Sequence, residues 1–158
     1  MSEDLIINSQ LSKRERYELL LPQVEALISG EKNRLANQAN LCAAIKESFG
    51  FLWIGFYHVD KEELVLGTFQ GPVACTRIKK GRGVCGTSWE KGETIIVDDV
   101  ELFPGHISCN SKSRSEIVIP IFNKEKKVIS VFDIDHTETG FFDEIDQIYL
   151  ERMVALID

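Results

Sequence analysis

Phe51-Leu52-Trp53-Ile54-Gly55-Phe56-Tyr57-His58-Val59 and, beyond a short charged break, Leu64-Val65-Leu66-Gly67-Thr68-Phe69 decide the fold of this chain. Both runs are rich in aromatic and β-branched residues and are bounded by turn formers, which is the composition of strands. The break at 60–63 is too short for a crossover helix, so the two strands are expected to pair antiparallel. Runs of the same character at 73–78, 94–97, 116–122 and 128–134 extend the pattern toward the C-terminus. Consecutive strands joined by short turns favour an antiparallel sheet over repeated βαβ units.

Outward from this block the apolar period changes to that of a helix. Ser12-Lys13-Arg14-Glu15 has the S-x-x-E form of a capping box. Tyr17, Leu20, Leu21, Val24, Leu27 and Ile28 then recur at helical spacing as far as Gly30, with Pro22 expected to kink the run. A second helix follows, with Leu35, Leu41, Cys42, Ile45 and Phe49 as its apolar positions and Gly50 as its stop. Cys42 reads there as a small buried hydrophobe. Gly83-Val84-Cys85-Gly86-Thr87-Ser88-Trp89-Glu90 predicts a short helix entered through glycines. A closing helix starts at Asp143 as N-cap, with Ile145, Ile148, Tyr149, Met153, Val154 and Ile157 as its apolar stripe. The order predicts an α+β fold. Helices from both chain ends cover one face of a central antiparallel sheet, and the other face is left for long loops and a pocket.

The bulk numbers suit one domain over residues 1–158. Hydrophobic residues make up 44% and charged residues 27%, ordinary for a soluble globular chain. A formal net charge of −7 argues against nucleic acid, because a phosphate backbone is repelled by that field. The basic cluster Arg77, Lys79, Lys80 and Arg82 reads as a solvated loop, or else as a positive patch beside a site. The acidic start Met1-Ser2-Glu3-Asp4 lacks a secretory leader, and no apolar run approaches bilayer length, so a cytoplasmic, membrane-free protein is expected. In that compartment Cys42, Cys75, Cys85 and Cys109 are expected as thiols or catalytic groups rather than structural disulfides. No C-x-x-C pair occurs and the histidines are His58, His106 and His136, so no metal site is expected.

Chemistry gathers in three places. The loop at 98–115 is long for a connector and carries Cys109 in a polar, turn-rich stretch, near His106, Lys112 and Arg114. A thiol oxidised there to a sulfenic acid needs a second thiol to resolve it, and Cys75 or Cys85 could serve if the loops face each other. Glu116 opens the strand after this loop. Asp133 and Asp135, two apart on the next strand, point to one face, where they suit a bound ammonium, proton delivery or a strand end emerging into solvent. Trp53 and Tyr57 share a face of the first strand by alternation, with Phe51 on it too, as either a pocket wall or core.

Ala74-Cys75-Thr76-Arg77-Ile78, Gly83-Val84-Cys85-Gly86-Thr87, Phe103-Pro104-Gly105-His106-Ile107-Ser108-Cys109 and Ser115-Glu116-Ile117-Val118-Ile119-Pro120 occur in order. Together with Trp53-Ile54-Gly55-Phe56-Tyr57, Phe69-Gln70-Gly71 and Asp133-Ile134-Asp135, this set closely resembles the free methionine-(R)-sulfoxide reductases, which are single GAF domains. The resemblance runs from about Leu35 to the C-terminus. It implies a GAF fold, Cys109 as nucleophile, Cys75 as main resolving thiol and Cys85 as an auxiliary cysteine. It implies Glu116, Asp133 and Asp135 as substrate-binding acids, and Trp53 and Tyr57 as pocket aromatics. It also implies free methionine sulfoxide as substrate, thioredoxin as reductant, a homodimer, and no metal or organic cofactor. Two positions depart from the family pattern: Asn110, where an Asp is frequent, and His136, where a small residue is common. A ligand-binding regulatory GAF module and a redox sensor using the same cysteines are the competing readings.

Overall fold

The computed structural model describes residues 4–157; Met1 to Glu3 of the acidic start lie outside the described residues, as does Asp158. Six strands form one antiparallel sheet: β1 (Trp53–Asp60), β2 (Glu63–Gln70), β3 (Arg77–Lys79), β4 (Ile95–Val97), β5 (Ser115–Phe122) and β6 (Val128–His136). Their spatial order is β3-β2-β1-β6-β5-β4, so two meanders from the two halves of the chain meet along β1 and β6. The hairpins β1–β2 and β5–β6 turn through Lys61 and Lys126, each at positive φ.

Three helices cover one face: α1 (Lys13–Ile28), α2 (Arg34–Phe49) and α4 (Glu144–Ala155). Their ends follow the local chemistry expected of them. The Ser12–Glu15 capping box closes α1, the Asn33 side chain accepts from the Ala36 amide at the start of α2, and Gly50 ends α2 in the left-handed conformation. Asp143 caps α4 in a second box with Asp146. Pro22 lies inside α1, which continues through it as one element. Tyr17, Leu20, Val24, Leu41, Ile45, Leu150 and Met153 from these helices pack on Ile54, Phe56, Ile117, Ile119, Phe132 and Ile134 of the sheet. The opposite face carries a second apolar cluster built on α3 (Gly83–Lys91), with Val84 and Trp89 against Leu64, Ile78, Val97 and Val131.

Three sequence-based expectations are corrected. The strand expected at 73–78 shrinks to β3, because Gly71-Pro72 turns the chain out of the sheet and Val73 to Thr76 run over the surface. Leu35 and Ile148 are largely exposed rather than core, since each helix presents a narrower apolar face than its spacing suggested. Phe51 precedes β1, so strand alternation does not govern it. It packs on the helix side against Phe49, Phe141 and Phe142.

One polar knot ties the first helix to the last. Asp146 is fully buried and accepts from Tyr17 Oη at 2.8 Å, from Lys13 Nζ at 2.6 Å and from the Asp143 amide at 2.8 Å. Burial raises its carboxyl above the ordinary range despite these donors. Tyr17→Phe keeps the ring packing and removes one donor to the buried acid. It should lower unfolding free energy by about 1.5–3 kcal/mol in urea unfolding, the worth of a hydrogen bond to a charged group.

Candidate active site

The pairing of β1, β6 and β5 places the acids and aromatics together. Trp53 lies opposite Asp135, which lies opposite Glu116; one step along the same face, Gly55 lies opposite Asp133, which lies opposite Val118. Side chains two apart share a face, so Trp53, Tyr57, Asp133, Asp135 and Glu116 all project away from the covering helices. There they line a pocket closed on its other sides by α3 and by the loop that follows β4. Gly55 is required at its position: a Cβ there would lie 2.6 Å from Trp53 Cη2 and 2.4 Å from Phe69 Cβ. The Trp53 ring fills that space, stacked on Phe69 at 5.3 Å and on Tyr57 at 5.8 Å.

Glu116 and Asp133 are buried together, with Asp135 partly buried beside them. Glu116 and Asp133 are 7% and 6% exposed, and Asp133 Oδ1 is buried with no hydrogen-bond partner. Asp135 accepts from Ser113 Oγ. Loss of solvation pushes all three carboxyls above the usual carboxylate range, and the negative neighbours push Glu116 and Asp135 further. Asp133 is raised less, to about 6, because Glu116 and Cys85 hydrogen-bond its charged form. A set of buried carboxyls with an unpaired oxygen is matched by a cation or a proton-accepting oxygen from a ligand. Cys85 Sγ with Glu116 and Asp133 oxygens forms a group within 4.8 Å of one another, which is the one metal-compatible cluster among the described residues.

The cysteines divide into two kinds. Cys75 and Cys109 form a disulfide with Cα atoms 5.6 Å apart, joining the β2–β3 segment to the long loop over the pocket. Cys42 and Cys85 are free thiols. Cys42 is sealed in the helix-side core, where burial alone raises its thiol to about 12. Cys85, in the first turn of α3, directs Sγ at Glu116 Oε1 from 4.0 Å. Burial and the carboxylates push its thiol far above the ordinary value, so it stands as a protonated group against the acids.

Residues 38–158 match the GAF domain family. "GAF domain-containing protein A" of Dictyostelium discoideum is 58% identical over 100% of this chain and 99% of its own length. The free methionine-R-sulfoxide reductase of Saccharomyces cerevisiae is 41% identical, covering 96% of this chain and 88% of that one. The X-ray structure of the Neisseria meningitidis free methionine-R-sulfoxide reductase with its substrate superposes with a TM-score of 0.93 at 46% identity, over 98% of this chain and 92% of that one. The chain belongs to the free methionine-R-sulfoxide reductase family of GAF domains.

Every residue that the resemblance assigned to a reductase site lines or adjoins this one pocket: Trp53, Tyr57, Cys85, Cys109, Glu116, Asp133 and Asp135 line it, and Cys75 joins it through the disulfide. His136, one of the two departures from the family pattern, points the opposite way and stacks on Phe141 at 3.8 Å, so it leaves the pocket unaltered. The Asn110 side chain accepts from the Lys112 amide and shapes the loop. Sequence reasoning did not single out Ser113 or Ile107, and it placed Arg82 only in a basic cluster, yet all three line the GAF pocket. Loop residues carry no periodicity to reveal which way they face. For Arg82, its place immediately before a glycine-entered helix was the available signal.

Because the three acids titrate higher in the folded protein than in the unfolded chain, the folded state retains protons that the unfolded chain has released. Stability of the ligand-free protein is therefore lost as pH rises from the ordinary carboxylate value of about 4 through the raised ones. Glu116→Gln should become progressively more stable than the parent across that window, as read by denaturant unfolding at a series of pH values. A difference that stays constant with pH would contradict the shared burial of the acids.

Proposed function

We propose that this protein reduces free methionine-(R)-sulfoxide, with Cys109 as the nucleophile and Cys75 as the resolving thiol. The observation that carries the reading is the Cys75–Cys109 disulfide at the rim of a pocket whose floor is a triad of buried, proton-retaining carboxyls. The family membership and the substrate complex of the Neisseria relative support the same substrate.

In the reduced enzyme the Cys109 thiolate attacks the sulfoxide sulfur while a protonated carboxyl, Glu116 or one of the two aspartates, delivers a proton to the sulfoxide oxygen. Oxygen passes to Cys109 as a sulfenic acid and methionine leaves with the two electrons. The Cys75 thiol then attacks the sulfenic sulfur: an S–S bond forms, the S–O bond breaks, and the hydroxyl departs as water. An external dithiol, thioredoxin in this reading, returns the disulfide to two thiols by exchange. Cys85 remains protonated beside the acids and shapes their proton distribution.

Selectivity follows from charge. A pocket floor of carboxyls with an unpaired Asp133 oxygen suits the substrate ammonium, and a peptide-bonded residue, whose amide is neutral, leaves that oxygen unmatched. The substrate carboxylate falls to the mouth, where Arg82 and the backbone amides of the 104–112 loop stand. Trp53 packs on the S-methyl group and separates the epimers. The same reading takes the whole chain as one GAF domain, its assembly as a homodimer and its compartment as the reducing cytoplasm. Among the described residues no helix is long and apolar enough to cross a membrane.

The test mixes purified protein, a dithiol reductant and racemic free methionine sulfoxide, and quantifies each epimer. Only the R epimer should disappear, and Cys109→Ser should abolish the loss. With thioredoxin in place of the small dithiol, Cys75→Ser should form about one methionine per chain and then stall, because no protein disulfide forms for thioredoxin to exchange with. Peroxide-driven disulfide formation without any epimer preference would instead identify a redox sensor.

A further inference from the structure

We propose that Tyr57 and Trp53 are positioning residues for the resolving step, holding the segment that carries Cys75 so that its thiol meets Cys109. This rests on the cysteine roles proposed above and adds to them a function for the two aromatics beyond lining the pocket.

Residues 71–76 leave the sheet after β2 and Val73 is 87% exposed, so strand pairing does not anchor the middle of the segment, and Ala74 and Cys75 are only partly buried against the pocket-side cluster. Hydrogen bonds from inside the molecule anchor it instead. Tyr57 Oη donates to the carbonyl of Cys75 itself at 2.9 Å, and Trp53 Nε1 donates to the carbonyl of Pro72 at 3.1 Å. The Leu66 amide closes the far end on the Thr76 carbonyl at 3.0 Å. The segment also runs in direct contact with Trp53. Gly71 has φ 139°, and a Cβ there would lie 2.7 Å from Trp53 Cδ1 and 2.8 Å from the Leu52 carbonyl.

The two donors are themselves rigid. Tyr57 is 2% exposed and Trp53 4%, both on the central strand β1, with their rings stacked on each other and the Trp53 ring stacked on Phe69. Burial and the nearby carboxylates hold the Tyr57 phenol protonated, which keeps it a donor. The tether reaches the peptide of the resolving cysteine, so it limits where that thiol can travel when the disulfide is open. Restricting a nucleophile to the neighbourhood of its target raises its effective concentration. The step served is the one in which the Cys75 thiol displaces hydroxide from the Cys109 sulfenic acid, releasing water.

The experiment is a single turnover of the fully reduced full-length protein with excess R-sulfoxide and no recycling reductant. Methionine release and disulfide formation are followed separately by quenching, and dimedone traps the sulfenic acid. Tyr57→Phe should slow disulfide formation about two- to tenfold more than it slows methionine release, the equilibrium worth of one hydrogen bond, with dimedone adduct on Cys109 rising accordingly. Trp53→Phe, which loses the indole donor to Pro72, should shift the same ratio in the same direction. Equal slowing of both steps in both variants would assign the aromatics to substrate binding, and an unchanged ratio would show that the tether positions nothing; either overturns the proposal. Failure of the cysteine roles is read separately, as methionine formation that survives in Cys109→Ser.

Discussion

The pairing of β6 between β1 and β5 is the constraint on which the rest of the molecule depends. Asp135 sits between Trp53 and Glu116, and Asp133 between Gly55 and Val118, so one register determines which five side chains face the pocket and which face the helices. A slip of one residue would turn Asp133 and Asp135 into the helix-side core and send Ile134 and Phe132 into the pocket. The apolar seal of Phe56, Phe132, Ile117 and Ile134 against the helices prevents this slip. The same hydrophobic burial that drives folding thus also aims the acids.

Such an arrangement opposes stability locally. Two buried carboxyls and a third partly buried one share the pocket floor with a thiol, and one of their oxygens has no partner. The fold tolerates this because Glu116 and Asp135 retain protons rather than charge and because Ser113 supplies one donor. The contrast with Asp146 is instructive. That acid is also buried, but a lysine, a tyrosine and a backbone amide surround it, and it serves to join α1 to α4. One buried acid is satisfied and structural, whereas the pocket acids are left wanting a ligand.

The cysteine geometry follows from the sheet as well. Both segments joined by the disulfide are loops, one leaving the edge strand side after β2 and one entering β5, and they meet because β1 and β6 bring the two meanders side by side. Cys85 comes to the same place on a helix and ends beside carboxylates rather than beside the disulfide. Three cysteines near one pocket therefore have different surroundings: two share a disulfide, and burial beside the acids keeps the third a protonated thiol.

Local chemistry was legible in the chain before any coordinates. The capping box at Ser12, the N-cap at Asp143, the helix stop at Gly50, the strand character of 53–59, 116–122 and 128–134 and the buried habit of Cys42 all follow from a few neighbouring residues. Family motifs named the site residues, and alternation placed Asp133 and Asp135 on one face. Beyond that range the chain was silent or misleading. Alternation put Phe51 on the face of Trp53 and Tyr57, although the strand begins two residues later, and the run at 73–78 read as a strand although Val73 lies exposed. Spacing left Cys75 and Cys85 both open as the partner of Cys109 and only the resemblance favoured Cys75; the disulfide, like the Tyr57 bond to the Cys75 carbonyl, arises from which loops the sheet sets face to face. Propensity and periodicity act over a few residues along the backbone, but a disulfide, a shared proton or a loop tether depends on distance through space, and only the packed tertiary structure decides that.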